Sequence, residues 1–295
     1  MPLLSALRPL LALLGLLLSA PLWALSQEQA QEEFVSARQA AMAASQLGPR
    51  TLTLADQASL QLPAAMVYVP AEETRHLMQA INGHYNDSLQ GMVLPISDQE
   101  AWMMLLSFEP VGYIRDDDAK AWDPDEMLNS LKEGTEAANQ ERRQRGIPEL
   151  EVLGWAEVPV YSAGNHQLRW SATARDKGSQ QRNYTINYKT LALGREGYLG
   201  LNLITDTDNV NRLKPVTAAL MAQLTFQPGK RYDDFQAGSD QVAEYGLAAL
   251  VAGVAAKKLG FFALAAAMLA KYAKLLLIGL AAMGGLLGRR RKRKG

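Results

Sequence analysis

From Tyr245 to Leu287 the chain is apolar, broken only by Lys257, Lys258, Lys271 and Lys274, and six consecutive basic residues, Arg289 to Lys294, follow. A bilayer core takes roughly 20 apolar residues in a helix, and lysines near the ends of such a helix can carry their ammonium groups out to the interface. Leu275 to Leu287 is clean but slightly short. With Lys271 and Lys274 at its outer edge, 271–288 is long enough for a transmembrane helix, and the preference for Lys and Arg on the cytoplasmic side assigns 289–295 to a basic cytoplasmic tail. Residues 246–270, rich in Ala and Gly, suit a membrane-associated or packed helix. The alternative is a second span, which would return the tail to the outer side and bury Lys257 and Lys258 near its middle, costing a few kcal/mol each. A soluble hydrophobic helix pair is the third reading, and the basic cluster speaks against it.

The other end agrees. Arg8 precedes Leu10 to Leu18, where only Ala12 and Gly15 interrupt the leucines, and small residues follow. One positive charge before a short apolar core is the layout of a signal peptide, here 1–26, with cleavage after Ala24 or Ser26. An uncleaved anchor is the alternative, although the apolar core is short for a span. The expectation is an exported body, 27–245, on the periplasmic or extracellular side of a bacterial inner (cytoplasmic) membrane, single-pass, with the lipid bilayer as its first partner.

Charge is segregated in the same way. All 30 Asp and Glu lie between Glu28 and Glu244, against 19 Lys and Arg, so that stretch carries −11; the ten later charges are all basic. An acidic body is the opposite of what nucleic-acid binding needs. The absence of cysteine excludes disulfides, thiolate metal sites and thiol nucleophiles.

Within the body, Ser26–Leu47 reads as a helix stopped by Gly48-Pro49. Thr51–Leu54 and Ser59–Leu62 alternate with period two, as half-buried strands do, and Met66–Val69 is another short strand. Pro70–Asn82 reads as a short helix, Gly91–Pro95 as a strand and Trp102–Ile114 as a long central strand. Asp123 to Arg145 is the clearest helix, with Asp123 as N-cap, Pro124 at N1 and Glu126 closing a D-x-x-E capping box. Strands over Leu153–Tyr161, His166–Ala174, Arg182–Leu193 and Tyr198–Thr205 follow with tight connections, which imply antiparallel pairing. Lys214–Gln223 reads as a helix with Pro215 in its first turn, and Leu224–Phe226 as a last strand. The expectation is one α+β domain on an antiparallel sheet.

Few residues point to chemistry. Asp116, Asp117 and Asp118 are adjacent carboxylates that repel unless neutralised. Clustered carboxylates attract calcium, but EF-hand spacing is absent and successive residues rarely face one ion. The plainer reading is a solvated loop capping the next helix, with Arg115 and Lys120 as partners. His166, at the start of a strand, is the histidine that could pair with one of these aspartates. His76 falls in a helix and His84 in a turn. No zinc-protease histidine spacing, no G-x-S-x-G and no phosphate loop occurs, so neither metal nor cofactor is assigned. Trp155, Tyr161, Trp170, Tyr184, Tyr188 and Tyr198 crowd the strands and read as sheet packing before ligand platform.

Gly112 to Ala119, Gly154-Trp155, Pro159-Val160-Tyr161, His166 to Trp170, Asn187-Tyr188, Leu193 to Gly197 and Tyr232 to Phe235 occur in that order, after Gly91 to Pro95. Together they resemble a bacterial family of membrane-anchored proteins catalogued as domain of unknown function 2167. The resemblance implies an envelope protein and supplies no activity or catalytic residue. Two functions follow as expectations: a binding or scaffolding module whose partner is another envelope protein or polymer, or an envelope hydrolase using Asp116, Asp117, Asp118 and His166.

Overall fold

The computed structural model describes residues 27–252, apart from 83–84, 98–99, 121, 145–147 and 181–183. The expected signal peptide, transmembrane helix and basic tail lie outside these residues, as does 246–270 beyond Ala252. Among the described residues no helix is long and apolar enough to cross a membrane.

Helix α1 (Gln27–Ala44) leads into a two-residue strand, β1 (Gln46–Leu47). The helix expected through Leu47 therefore ends early, because Gln46 and Leu47 pair with Tyr68 and Val67. The period-two segments become β2 (Arg50–Leu54) and β3 (Ala58–Leu62), which bury Leu52, Leu54, Ala58, Leu60 and Leu62 and leave Thr51, Thr53 and Gln61 outside. Then come β4 (Met66–Val69), α2 (Ala71–Asn82), β5 (Leu89–Pro95) and β6 (Met103–Glu109). The long strand expected to reach Ile114 stops at Glu109, before Pro110, which has no N–H to give to a ladder. A 3-10 turn, Asp117–Lys120, precedes α3 (Pro124–Gln144), where the Asp123 Oδ1 accepts from the Asp125 and Glu126 amides at 2.8 and 3.2 Å, as a capping residue should.

Four strands follow: β7 (Leu150–Ser162), β8 (Gln167–Asp176), β9 (Thr185–Leu193) and β10 (Tyr198–Asp206). Helix α4 (Val210–Ala222) starts four residues before the expected Lys214, so Pro215 lies inside it. The start is set upstream, where the Asp206 Oδ1 accepts from the Asp208 and Asn209 amides. Strand β11 (Leu224–Phe226) and α5 (Leu247–Ala252) complete the order.

The strands form two antiparallel sheets rather than one. The larger has eight strands in the order β1-β4-β5-β6-β10-β9-β8-β7, and the smaller runs β11-β3-β2. The first face of the large sheet, carrying Met104, Leu106, Ile186, Leu199, Leu201 and Leu203, packs on α4 and the small sheet. The second face is covered at its two flanks: α1 and α2 lie over β4 to β6, and α3 and α5 lie over β7 to β9 around Leu168, Trp170, Leu191 and Leu193. Leu247, Leu250 and Val251 of α5 are buried, so the first residues of the apolar C-terminal segment are packed on protein.

Candidate functional site

Residues 110–116 run from the end of β6 across the second face to the start of the 3-10 turn. They are held by a parallel bridge between Tyr113 and Val242, where the Tyr113 amide donates to the Gln241 carbonyl and the Ala243 amide donates back, both at 2.8 Å. Gly112 has φ 87°, and a Cβ there would lie 2.6 Å from the Gln241 oxygen, so the approach requires glycine. Asp116 is thereby carried beside the β7–β8 turn.

That turn brings Tyr161 and His166 together. Tyr161 pairs with Leu168 across β7 and β8, and His166 closes the turn with φ 51°, its carbonyl accepting from the Leu193 amide at 2.9 Å. The Tyr161 hydroxyl donates to Asp116 Oδ2 at 2.8 Å and lies 3.2 Å from His166 Nδ1, while His166 Nε2 lies 3.2 Å from Asp233 Oδ1. The result is a polar chain, Asp116–Tyr161–His166–Asp233, built from three separate parts of the sequence. With its single proton given to Asp116, the Tyr161 oxygen can accept from an Nδ1–H. A doubly protonated ring would donate to Tyr161 and Asp233 at once, whereas a neutral ring can donate to only one of them.

Aromatic stacking holds the chain in place. Phe235 stacks on Tyr113 at 3.9 Å between centroids, Tyr113 on Tyr232 at 4.5 Å, and Tyr232 on His166 at 4.1 Å. The Tyr232 hydroxyl donates to the Ile114 carbonyl at 2.8 Å. Burial, then Asp116, pushes the Tyr161 hydroxyl far above the ordinary tyrosine pKa, and burial, then Tyr113, does the same to Tyr232. Both are phenols held in their neutral form.

Beside Tyr161 opens a cleft of about 450 Å³ lined by Asp116, Asp117, Lys120, Trp122, Pro159 and Tyr161, among others. Asp118 serves elsewhere: its carboxylate accepts from the Leu247 and Ala248 amides at 3.1 and 3.0 Å, capping α5. A Cβ on Gly246 would come within 2.5 Å of that carboxylate, so the cap closes over a bare backbone. The acidic loop thus does cap a helix, but α5 rather than the next helix, whose cap is Asp123. Of the sequence candidates, Asp116 and His166 meet through Tyr161, Asp117 joins Asp116 at the cleft, and Asp118 stands apart. His76 lies in α2, and His84 lies outside the described residues. Among the described residues no group of three or more His, Cys, Asp or Glu is arranged to hold a metal ion.

Tyr161, Asp233, Tyr113, Tyr232 and Phe235 were not legible as site residues. Tyr161 and His166, five apart at the two ends of a tight hairpin turn, carried the one local signal.

The family model described as "Protein of unknown function (DUF2167)" matches residues 46–284, a stretch that includes both sheets and the whole polar chain. No curated protein matches the chain. Solved structures with some likeness include the solution structure of cyanobacterial PsbP (CyanoP) from Synechocystis sp. PCC 6803, at 10% identity and TM-score 0.37, covering 60% of this chain and 92% of that one. Another is a protein of unknown function, PA94, from Pseudomonas aeruginosa, titled a putative regulator, at 12% identity and TM-score 0.25, covering 61% and 97%. At superpositions this low, the likeness extends to neither function nor ligand.

Proposed function

The chain belongs to the DUF2167 family of proteins of unknown function, and from that premise we propose that its body is a binding module of the bacterial cell envelope, facing the periplasm from a membrane anchor and engaging an envelope protein or polymer through the Asp116–Tyr161 cleft. The observation that carries this reading is the state of Tyr161. Its hydroxyl is committed to Asp116 and kept neutral by burial and by that carboxylate, so the cleft wall presents a fixed, neutral hydrogen-bonding ring. Trp122 and Pro159 add apolar surface, and Asp116, Asp117 and Lys120 supply both charges at the rim. Few, well-placed polar groups on an apolar wall are what a ligand cleft needs.

Gentle crosslinking and recovery of the intact chain from native membranes tests the reading. A specific companion should be recovered with the natural chain and lost with Trp122→Ala. Recovery of the same species with both chains, or of none, defeats it.

The hydrolase reading keeps one supporting observation, the contact of His166 with both Tyr161 and Asp233. It requires that His166→Gln abolish a measurable turnover of an envelope polymer while leaving the fold intact. Turnover that survives this change removes His166 from any catalytic role.

A further inference from the structure

Among the described residues the two sheets have four edge strands, β1 and β7 of the larger and β2 and β11 of the smaller. A bare edge is a row of unpaired N–H and C=O groups on which another strand can form, so proteins shorten, kink or break such edges. Three of the four are treated in this way. Strand β1 has two residues and β11 has three, while β7 carries Pro159 and three breaks in its register with β8. Strand β2, Arg50-Thr51-Leu52-Thr53-Leu54, holds five residues in unbroken register with β3, with no proline and no bulge.

The groups on the free edge of β2 follow from β3. The Gln61 amide donates to the Gln223 carbonyl at 3.2 Å and the Gln227 amide donates to the Gln57 carbonyl at 2.9 Å, so Gln57, Ser59 and Gln61 turn their backbone groups toward β11. Ala58, Leu60 and Leu62 therefore face β2, where they stand opposite Leu54, Leu52 and Arg50. That leaves the N–H and C=O groups of Thr51 and Thr53 pointing outward. Both residues are exposed, and among the described residues these four groups have no hydrogen-bond partner.

We propose that this edge docks a second copy of the chain, the two β2 strands running antiparallel about a two-fold axis at Leu52. Self-complementarity selects the occupant. About that axis Thr51 lies opposite Thr53 of the second copy, and Thr53 opposite Thr51, so every outward donor meets an outward acceptor. Charge agrees with the pattern. Arg50 falls opposite Leu54 of the second copy, two positions from its exposed Asp56, and the same contact repeats across the axis. Parallel pairing would instead set Arg50 beside Arg50. One strand from each copy is a small contact, so the association is of the weak, concentration-dependent kind. The small sheet packs on the first face of the large sheet and the Asp116–Tyr161 cleft lies at the second, so this contact leaves both clefts uncovered. The pairing does not rest on the function proposed for the cleft.

The chain has no cysteine, so introduced thiols can be read without background. Full chains carrying Thr51→Cys or Thr53→Cys, with different tags, are expressed together, and their native membranes are treated with a mild oxidant. Opposed residues of such a pair have Cα atoms about 5.5 Å apart, within disulfide reach, whereas two copies of position 51 lie on a diagonal of about 7–8 Å. The two variants together should give a cross-linked dimer bearing both tags, and either variant alone should not. Adding Thr53→Pro to the Thr51→Cys chain should abolish the dimer and leave near-ultraviolet circular dichroism unchanged, because the lost N–H faces outward and serves no bond of the fold. A self-dimer contains this chain alone, so its mass separates it from an adduct with any partner of the cleft. No dimer from the two variants together, equal dimer from either alone, a dimer that survives the proline, loss of the dichroism signal with the proline, or trapping onto a different protein would each overturn the proposal.

Discussion

Tyr161 decides what the Asp116 loop and His166 can do together, because one hydroxyl holds both. Tyr161→Phe removes a bond to a carboxylate, and denaturant unfolding should show a loss of about 1–2 kcal/mol, with the sheet intact. The raised pKa values of Tyr161 and Tyr232 also fix a direction in pH. A folded-state pKa above the unfolded value gives stability that is complete below the unfolded tyrosine pKa of about 10 and is lost as pH rises beyond it. Alkaline titration should therefore show tyrosines that ionise only as near-ultraviolet circular dichroism is lost; ionisation of every tyrosine ahead of unfolding would refute this. At the acid end, Arg195 grips Asp240 with two bonds of 2.7 Å, and this guanidinium, with the Gln236 amide, holds the Asp240 carboxyl well below the usual range. That contribution is present above the unfolded aspartate pKa of about 3.9 and fades as pH falls below it. The stability gap between the natural chain and Arg195→Gln should thus be widest near neutral pH and close in acid.

At the scale of elements, Asp118 ties the 3-10 turn beside the cleft to the first turn of α5. Asp118→Ala should cost about 1 kcal/mol, the ordinary value of a lost cap, and speed hydrogen exchange at the Leu247 and Ala248 amides, while Asp117→Ala should leave those amides unchanged. Elements of this kind were legible to different degrees. Strands β2 and β3 announce themselves because one face is buried and the other wet, and α3 because Asp123, Pro124 and Glu126 stand where a helix begins. Helix α4 was read too short because Pro215 looks like a starting residue, whereas the start is set by Asp206, four residues before Val210. The three strands of the small sheet were each legible but their assembly was not: β11 pairs with β3 from more than 150 residues away, and nothing local encodes that meeting. The site fails to show for the same reason. Asp116, Tyr161, His166 and Asp233 converge through sheet register and a bridge at Tyr113, and Tyr161 seen alone is one more strand aromatic.

At the scale of the whole molecule, the charge division between an acidic body and a basic apolar end motivates the proposed topology. A reporter active only in the cytoplasm, fused after Gly295, should be active, and periplasmic reporter activity at that position would reject a single crossing. The central claim is that the Asp116–Tyr161 cleft is where the proposed binding module meets its partner. Photo-crosslinking residues placed at Lys120, on the cleft rim, and at Thr51, exposed on β2 of the small sheet, test it most directly in living cells. A discrete adduct from position 120, absent from position 51 and lost when Trp122 is changed to Ala, is the predicted result; equal adducts from both positions, or none from 120, would contradict it.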